Sequence, residues 1–426
     1  MTVRARGLFF AGLALLTAVA AWMRLETLGR RPLWFDERFT FFMCAHAKSL
    51  RGIWTIATKD AWEHPPLHYA VTYLAMRVSH AVAVVRFPSA LCGVLAVPLL
   101  ALLGRRLFDP RTGLLAGLLL ALSIYHVHVS MDARPYALLL LLLLGEHLAF
   151  FQYRETGERW QLVPFAACAA ASLYSHHLAL AAQLAIVLLA LWDLAVAPRK
   201  RDALWLIASG MGAVLVYLPQ AVNLLHYLGT EQLESKHVLR LSWRLVWHLA
   251  ARWGVGDNPG NVLVLLAFAA GVGAVLRRKR KAAGLLLCLA TPFLPFLLVP
   301  FGKFFDIRFV IAGMPPFLLL IAVGLVALGE AVAAAVPGRR VALATTAALT
   351  LCLVLDSLAG YRTFRRTTVC CSEFWDTPGL MERDGGFCRD RIMLNTFYPD
   401  HAFLLRPVSA GDTLPARQAS PIVGPR

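Results

Sequence analysis

The stretch "PPLHYAVTYLAMRVSHAV", residues 65–82, is long and apolar enough to suggest a membrane span, yet His68, Arg77 and His80 interrupt it. An amphipathic helix lying on the membrane fits that mixture better than a crossing. The choice sets the sidedness of everything downstream. With 65–82 interfacial, the loops "GRRLFDPR" (104–111), "APRKRD" (197–202), "LRRKRKAAG" (276–284) and "PGRR" (337–340) share a side with Arg4 and Arg6. Lys and Arg outnumber Asp and Glu in each of them: three to one, three to one, five to none and two to none. Short net-positive loops stay cytoplasmic. Making 65–82 a span would put all four outside, so the charge pattern selects the interfacial reading.

The rest of the chain supports a polytopic all-α membrane protein. Of its 426 residues 58% are hydrophobic and only 16% charged, where a soluble domain would carry about a quarter. Apolar runs of spanning length recur. About eleven transmembrane helices of roughly 17–22 residues are expected, near 7–25, 86–104, 113–130, 135–152, 160–174, 178–197, 203–220, 261–276, 283–300, 309–329 and 341–358. Residues 1–358 would form the membrane domain and 359–426 a small extracytoplasmic tail, disordered after about 407. The N-terminal segment, with Ala18-Val19-Ala20, imitates a cleaved signal peptide; continued hydrophobic spans favour an uncleaved first helix.

The formal charge of +17 follows from the basic cytoplasmic loops, and no aromatic-interleaved basic patch or zinc-finger spacing points to nucleic acid. Five cysteines (Cys44, Cys92, Cys168, Cys288, Cys352) sit in apolar runs as small hydrophobes. In the tail, Cys370 or Cys371 can pair with Cys388 if that segment is extracytoplasmic.

Polar chemistry gathers on one side. Asp36 and Glu37, in "RPLWFDERFT" (31–40), follow the first span. Glu63, His64, Asp132, Arg134, His176, His177, Lys303 and Arg308 fall at the same outer face. Glu146, Asp193 and Glu330 lie toward the opposite helix ends, where solvated anchors suffice. An ion-driven transporter more often places acids at the bilayer midplane. A reaction site at the outer membrane surface suits this pattern better.

"WFDE", "EHPPLHY" (63–69), "RFPSALCG" (86–93), "SMDARPYAL" (130–138) and "IRFVIAGMPP" (307–316) occur in one order. That order resembles the GT-C polytopic glycosyltransferases of the protein O-mannosyltransferase and lipid A aminoarabinose transferase type. The likeness spans roughly 7–330 and is strongest over 31–138. It implies a polyprenyl-phosphate-linked sugar donor, a hydroxyl acceptor in protein, lipid or envelope glycan, and inversion at the anomeric carbon. Membrane lipids would be the surrounding partners and the plasma membrane the location, with the N-terminus cytoplasmic and the C-terminus outside.

The chemistry agrees. An acceptor hydroxyl needs a carboxylate to take its proton, and Asp36, matching the first acid of the family's pair, is the candidate base, with Glu37 beside it. A lipid phosphate leaves without a general acid but needs cations for its growing charge. Lys303 and Arg308 are placed for that, with help from Arg134. Glu63, His64, Asp132 and Tyr136 complete the expected substrate-binding set.

Plainer readings exist for most of these residues. Glu37 can pair with Arg38, Glu63-His64 can cap a helix before Pro65, Asp132 can N-cap a helix near Pro135, and Lys303 and Arg308 can be interfacial anchors. Two acids and a histidine could hold a divalent ion, and the metal is left unassigned. The competing function is a transporter or flippase of a lipid-linked glycan, for which Pro292 and Pro295 inside one span give some footing. An assembly protein without catalysis would leave Asp36-Glu37 unexplained.

The charge pattern makes a direct topological prediction. Cysteines placed at 279 should be labelled only from the cytoplasm, and cysteines placed in 26–85 only from outside. Outside labelling at 279 would invert the arrangement and remove the basis for the outer site.

Overall fold

A computed structural model describes residues 2–31, 33–59, 65–196, 200–230, 237–239, 242–254, 260–277, 279–298, 307–336, 340–370 and 405–407. The chain begins with helix α1 (Val3–Leu25), followed by three short helices, α2 (Phe35–His46), α3 (Leu50–Lys59) and α4 (Leu67–Met76). Next come α5 (Val82–Leu107), α6 (Pro110–Leu122), α7 (Ile124–Ser130), α8 (Tyr136–Thr156), α9 (Leu162–Ser175), α10 (Ala179–Val196) and α11 (Lys200–Thr230). The last third holds α12 (Trp243–Trp253), α13 (Gly260–Leu276), α14 (Lys279–Ala290), α15 (Leu294–Leu298), α16 (Met314–Ala335) and α17 (Val341–Cys370). Two three-residue strands, β1 (His237–Leu239) and β2 (Leu405–Pro407), pair antiparallel.

Helix α4 has 10 residues, a length of about 15 Å, which cannot cross a hydrocarbon core of about 30 Å. Its moderate length and buried His68 fit a segment packed at one end of the bundle. The expected count of eleven spans is not confirmed by length and composition alone. Among the described residues seven helices are long and apolar enough to cross a membrane, or eight if α6 and α7 form one bent span. Helix α9 has 14 residues and α13 has 17. The expected span 283–300 is broken by a 3-10 turn at Thr291–Phe293, between α14 and α15. Pro292 and Pro295 remove donors there, which explains the break.

The expected helix 113–130 is likewise two helices, bent by 63° at Ser123. A break in a span exposes carbonyls that lipid cannot satisfy. Here each is answered by a side chain. The fully buried Arg24 donates to Leu120 O and Ala121 O, both at 3.1 Å, and Ser357 Oγ donates to Leu122 O at 2.6 Å. Ser123 then caps α7 through His126 N. The guanidinium thus closes the negative end of α6, and the bend aims α7 and the turn after it toward the acid pair.

Direction along each helix separates the two ends of the bundle. Helix α1 runs toward the end that carries Asp36, whereas α5 and α8 start there and run away. At the far end Arg105 lies over the Phe9 ring at 4.7 Å and Arg106 pairs with Glu155 at 2.7 Å. Helices α13 and α16 meet backbone to backbone: a Cβ on Gly324 would stand 1.7 Å from Ala267 O. Only glycine permits that approach, which is how helices associate where apolar burial gives no driving force.

Two further expectations change. Helix α17 does not stop at 358 but runs on to Cys370, because Tyr361 donates to Met23 O at 3.1 Å and Arg365 pairs with Glu26. Of the three acids read as solvated anchors, only Glu330 is exposed. Glu146 is buried near the middle of α8 and accepts from Gln183 at 2.8 Å. Asp193 is held by Arg154 at 2.5 and 2.8 Å. Burying a carboxyl requires such partners. The five cysteines of the apolar runs are free thiols; the tail pairing with Cys388 lies outside the described residues.

Candidate functional site

The adjacent acids Asp36 and Glu37 lie in the first turn of α2. Successive helical side chains point about 100° apart, and the fold sends the two in different directions. Glu37 is fully buried. Its Oε1 accepts from Arg86 Nε at 2.7 Å and Ala133 N at 2.9 Å; its Oε2 accepts from Arg86 Nη2 at 2.6 Å and Trp34 N at 3.2 Å. Arg86, from the first turn and a half of α5, also donates to Leu28 O at 3.0 Å and Arg31 O at 2.8 Å. One bidentate ion pair therefore joins the end of α1, the start of α2, α5 and the turn before α8. The expected Glu37–Arg38 surface pair is not made; Arg38 Nε donates to Leu33 O instead, at 2.9 Å.

Asp36 keeps 28% of its side chain exposed. Arg134 Nε stands 3.9 Å and Arg308 Nη1 3.8 Å from its Oδ2. Both arginine side chains are almost wholly buried, at 8% and 5% exposure, so their charged ends face the carboxylate from below rather than from solvent.

The turn 131–135 delivers Arg134. Glu37 holds it at Ala133 N, at 2.9 Å. Nearby, burial and the Arg134 charge push the His68 imidazole down to about 3, so it is neutral at physiological pH. Asp132, expected as an N-cap, is not one: α8 begins after Pro135. It forms a buried ion pair with Arg31 and lies 3.6 Å from His128 Nε2. Burial opposes its charge, but His128 and the guanidiniums of Arg31, Arg308 and Arg86 hold its carboxyl below the usual range.

Arg308 leaves the 3-10 stretch Ile307–Gly313 that leads into α16. Its guanidinium carbon is 5.2 Å from the Trp34 ring centre and 5.3 Å from that of Tyr136, within cation–π range. On Tyr136 the ring of His176 packs at 5.3 Å. His177 meets Tyr217 OH at 2.7 Å, so the two histidines diverge.

Of the residues expected from sequence, Asp36, Glu37, Asp132, Arg134, Tyr136 and Arg308 come together. Glu63, His64 and Lys303 lie outside the described residues. Among the described residues, no three His, Cys, Asp or Glu side chains are grouped to hold a metal ion. Sequence reasoning missed Arg31, Trp34, His68, Arg86 and His128. Arg86 and His68 had a signal, a polar residue inside an apolar run, and both lie in stretches quoted for the resemblance. Arg31 and His128 had none beyond proximity. Among the described residues, four guanidiniums (Arg31, Arg86, Arg134, Arg308) meet three carboxylates (Asp36, Glu37, Asp132) in this cluster.

Glu37 and Asp36 should separate in a stability measurement. Glu37→Gln leaves Arg86 buried without its counter-charge and should lower stability in detergent by about 3–5 kcal/mol. Asp36→Asn should change it by no more than about 1 kcal/mol. Equal thermal shifts for the two variants would contradict this division.

Residues 63–222 match the family model described as dolichyl-phosphate-mannose-protein mannosyltransferase. No curated protein matches the chain. Among solved structures, ArnT from Cupriavidus metallidurans in the apo state superposes with a TM-score of 0.59 at 15% identity, covering 84% of this chain and 76% of that one. The same protein bound to undecaprenyl phosphate gives 0.56 at 14%, with 88% and 78% covered. The archaeal oligosaccharyltransferase AglB from Archaeoglobus fulgidus, in complex with an inhibitory peptide and a dolichol-phosphate, gives 0.55 at 13%, with 86% and 56% covered. The chain is thus a multi-pass membrane protein with the fold of ArnT and AglB.

Proposed function

We propose that the protein is an integral-membrane glycosyltransferase that moves a sugar from a polyprenyl-phosphate donor to a hydroxyl acceptor. The observation that carries the reading is Asp36, a part-exposed carboxylate with two buried arginines within 3.9 Å. The acceptor oxygen attacks the anomeric carbon from the face opposite the phosphate, the carbon–oxygen bond to phosphate breaks, and the configuration inverts. Asp36 takes the hydroxyl proton. Arg308 and Arg134, with Lys303, take up the charge growing on the leaving phosphate. Glu63 and His64 belong to the acceptor or sugar side of the same site. Glu37 serves by fixing the segment that carries Asp36.

The undecaprenyl phosphate and dolichol-phosphate in the ArnT and AglB structures support a lipid-phosphate donor. Net-positive loops at the far end of the bundle support an extracytoplasmic site in the plasma membrane. The donated sugar would be a hexose or pentose. The competing transporter or flippase draws support from the bend at Ser123 and from Glu146 midway along α8. Purified protein in detergent, where no second compartment exists, tests the two. Transfer of sugar from a polyprenyl-phosphate donor there supports the enzyme, and its absence with intact donor binding favours transport.

Two substitutions define the site. Asp36→Asn keeps shape but loses the basic oxygen, so turnover should fall by roughly two to four orders of magnitude with much less change in donor binding. Near-normal turnover would remove Asp36 as the base. Arg308→Lys should already impair the enzyme, because an ammonium cannot grip two phosphate oxygens at once. Arg308→Ala should weaken donor binding and slow the chemical step together. A fully active lysine variant would leave Arg134 and Lys303 as the phosphate ligands.

A further inference from the structure

The planar guanidinium of Arg308 is covered by aromatic rings from two separate segments. Trp34 stands two residues before Asp36, and its backbone N–H is tied to Glu37. Tyr136 stands two residues after Arg134, opens α8 and is 3% exposed. Each segment therefore contributes one charged residue and one ring to the same spot. The Glu37 carboxylate links the segments by bonding Trp34 N and Ala133 N. His176 packs on Tyr136 at a tilt of 34°, extending the column to the end of α9.

A free arginine side chain samples many rotamers, and holding it in place adds an entropic penalty to binding. Rings at 5.2 and 5.3 Å from the guanidinium carbon reduce that freedom and so fix the direction of its donor-bearing edge. That edge is where Nη1 approaches Asp36.

We propose that Trp34 and Tyr136 are positioning residues that hold Arg308 with its N–H edge at the point where Asp36 and the donor phosphate meet. The proposal rests on the glycosyltransferase reading and deepens it. In the resting state the edge faces Asp36 through a long contact. An arriving phosphate presents better acceptors, and the fixed fork takes them without rearranging. Arg308 would then move its charge from the base to the leaving group with little motion of its own.

Removing a ring face while keeping apolar volume tests this. Trp34→Leu and Tyr136→Leu should each lower kcat about 10-fold, whereas Trp34→Phe and Tyr136→Phe should recover most of it. In an Arg308→Lys background the leucine changes should add less than about a further 2-fold, because the fork they position is gone. Thermal unfolding of each leucine and phenylalanine pair identifies losses that arise from folding alone. The second arm does not depend on activity. Cryo-electron microscopy of Trp34→Leu in nanodiscs with a bound antibody fragment should show the Arg308 guanidinium displaced from Asp36. Leucine variants as active as the phenylalanine ones, full additivity with Arg308→Lys, or an unmoved Arg308 would each overturn the clamp. If the wild type transfers no sugar from a lipid phosphate while Arg308 moves in Trp34→Leu, the catalytic reading fails and the clamp stands.

Discussion

The Glu37–Arg86 ion pair decides what the rest of the site can do. Both partners are fully buried, so each has given up hydration that only close, well-aligned contacts can offset. The arrangement meets that demand. Each Glu37 oxygen accepts two donors, and Arg86 has further carbonyl partners at Leu28 and Arg31. Because the partners come from four segments, none can shift without leaving a charge or a backbone group unpaired in a region of low dielectric. Asp36, Arg134 and Trp34 are each within two residues of one of these anchor points. Their positions follow from the pair rather than from their own contacts.

A second constraint comes from the bilayer. Irregular backbone at membrane depth survives only where protein groups replace water, and the bend between α6 and α7 shows how. Arg24 and Ser357 supply the three donors that a continuous helix would have provided. The bend sets the direction of α7, so His128 and the following turn reach Arg31 and Glu37. A buried arginine at the next-to-last residue of α1 is thus part of the same construction as the site, although it touches none of its acids.

Much of this was legible in the sequence. Periodicity and hydropathy located most of the helices. The pair Asp36-Glu37, with Arg134 and Arg308, marked the site because charges beside spans are expensive unless they are used or paired. Tertiary detail was not legible. Nothing local says that Glu37 turns inward toward Arg86, 49 residues away, while Asp36 stays at the surface. The break at Ser123 was hidden because its stabilising groups come from α1 and α17. Glu146 read as an anchor because a window cannot show that α8 runs on to Thr156 and keeps its middle covered.

Distances sort the arginines of the cluster by what they can do. Arg86 holds its carboxylate at 2.6 and 2.7 Å and Arg24 holds its carbonyls at 3.1 Å. These are saturated, charge-assisted bonds of the kind that fixes a structure. Arg134 Nε and Arg308 Nη1 stand 3.9 and 3.8 Å from the Asp36 carboxylate, at the limit of an ion pair, and Arg134 Nη1 also donates to Asp36 O at 3.5 Å. A buried cation held at that distance from a carboxylate adds positive potential to the place where a second anion would enter. The same residue type therefore divides into two kinds. Arg86 and Arg24 close the frame, and Arg134 and Arg308 face Asp36, which keeps 28% of its side chain exposed. That arrangement suits the proposed chemistry, in which a phosphate is bound firmly while its neighbour stays able to accept a proton.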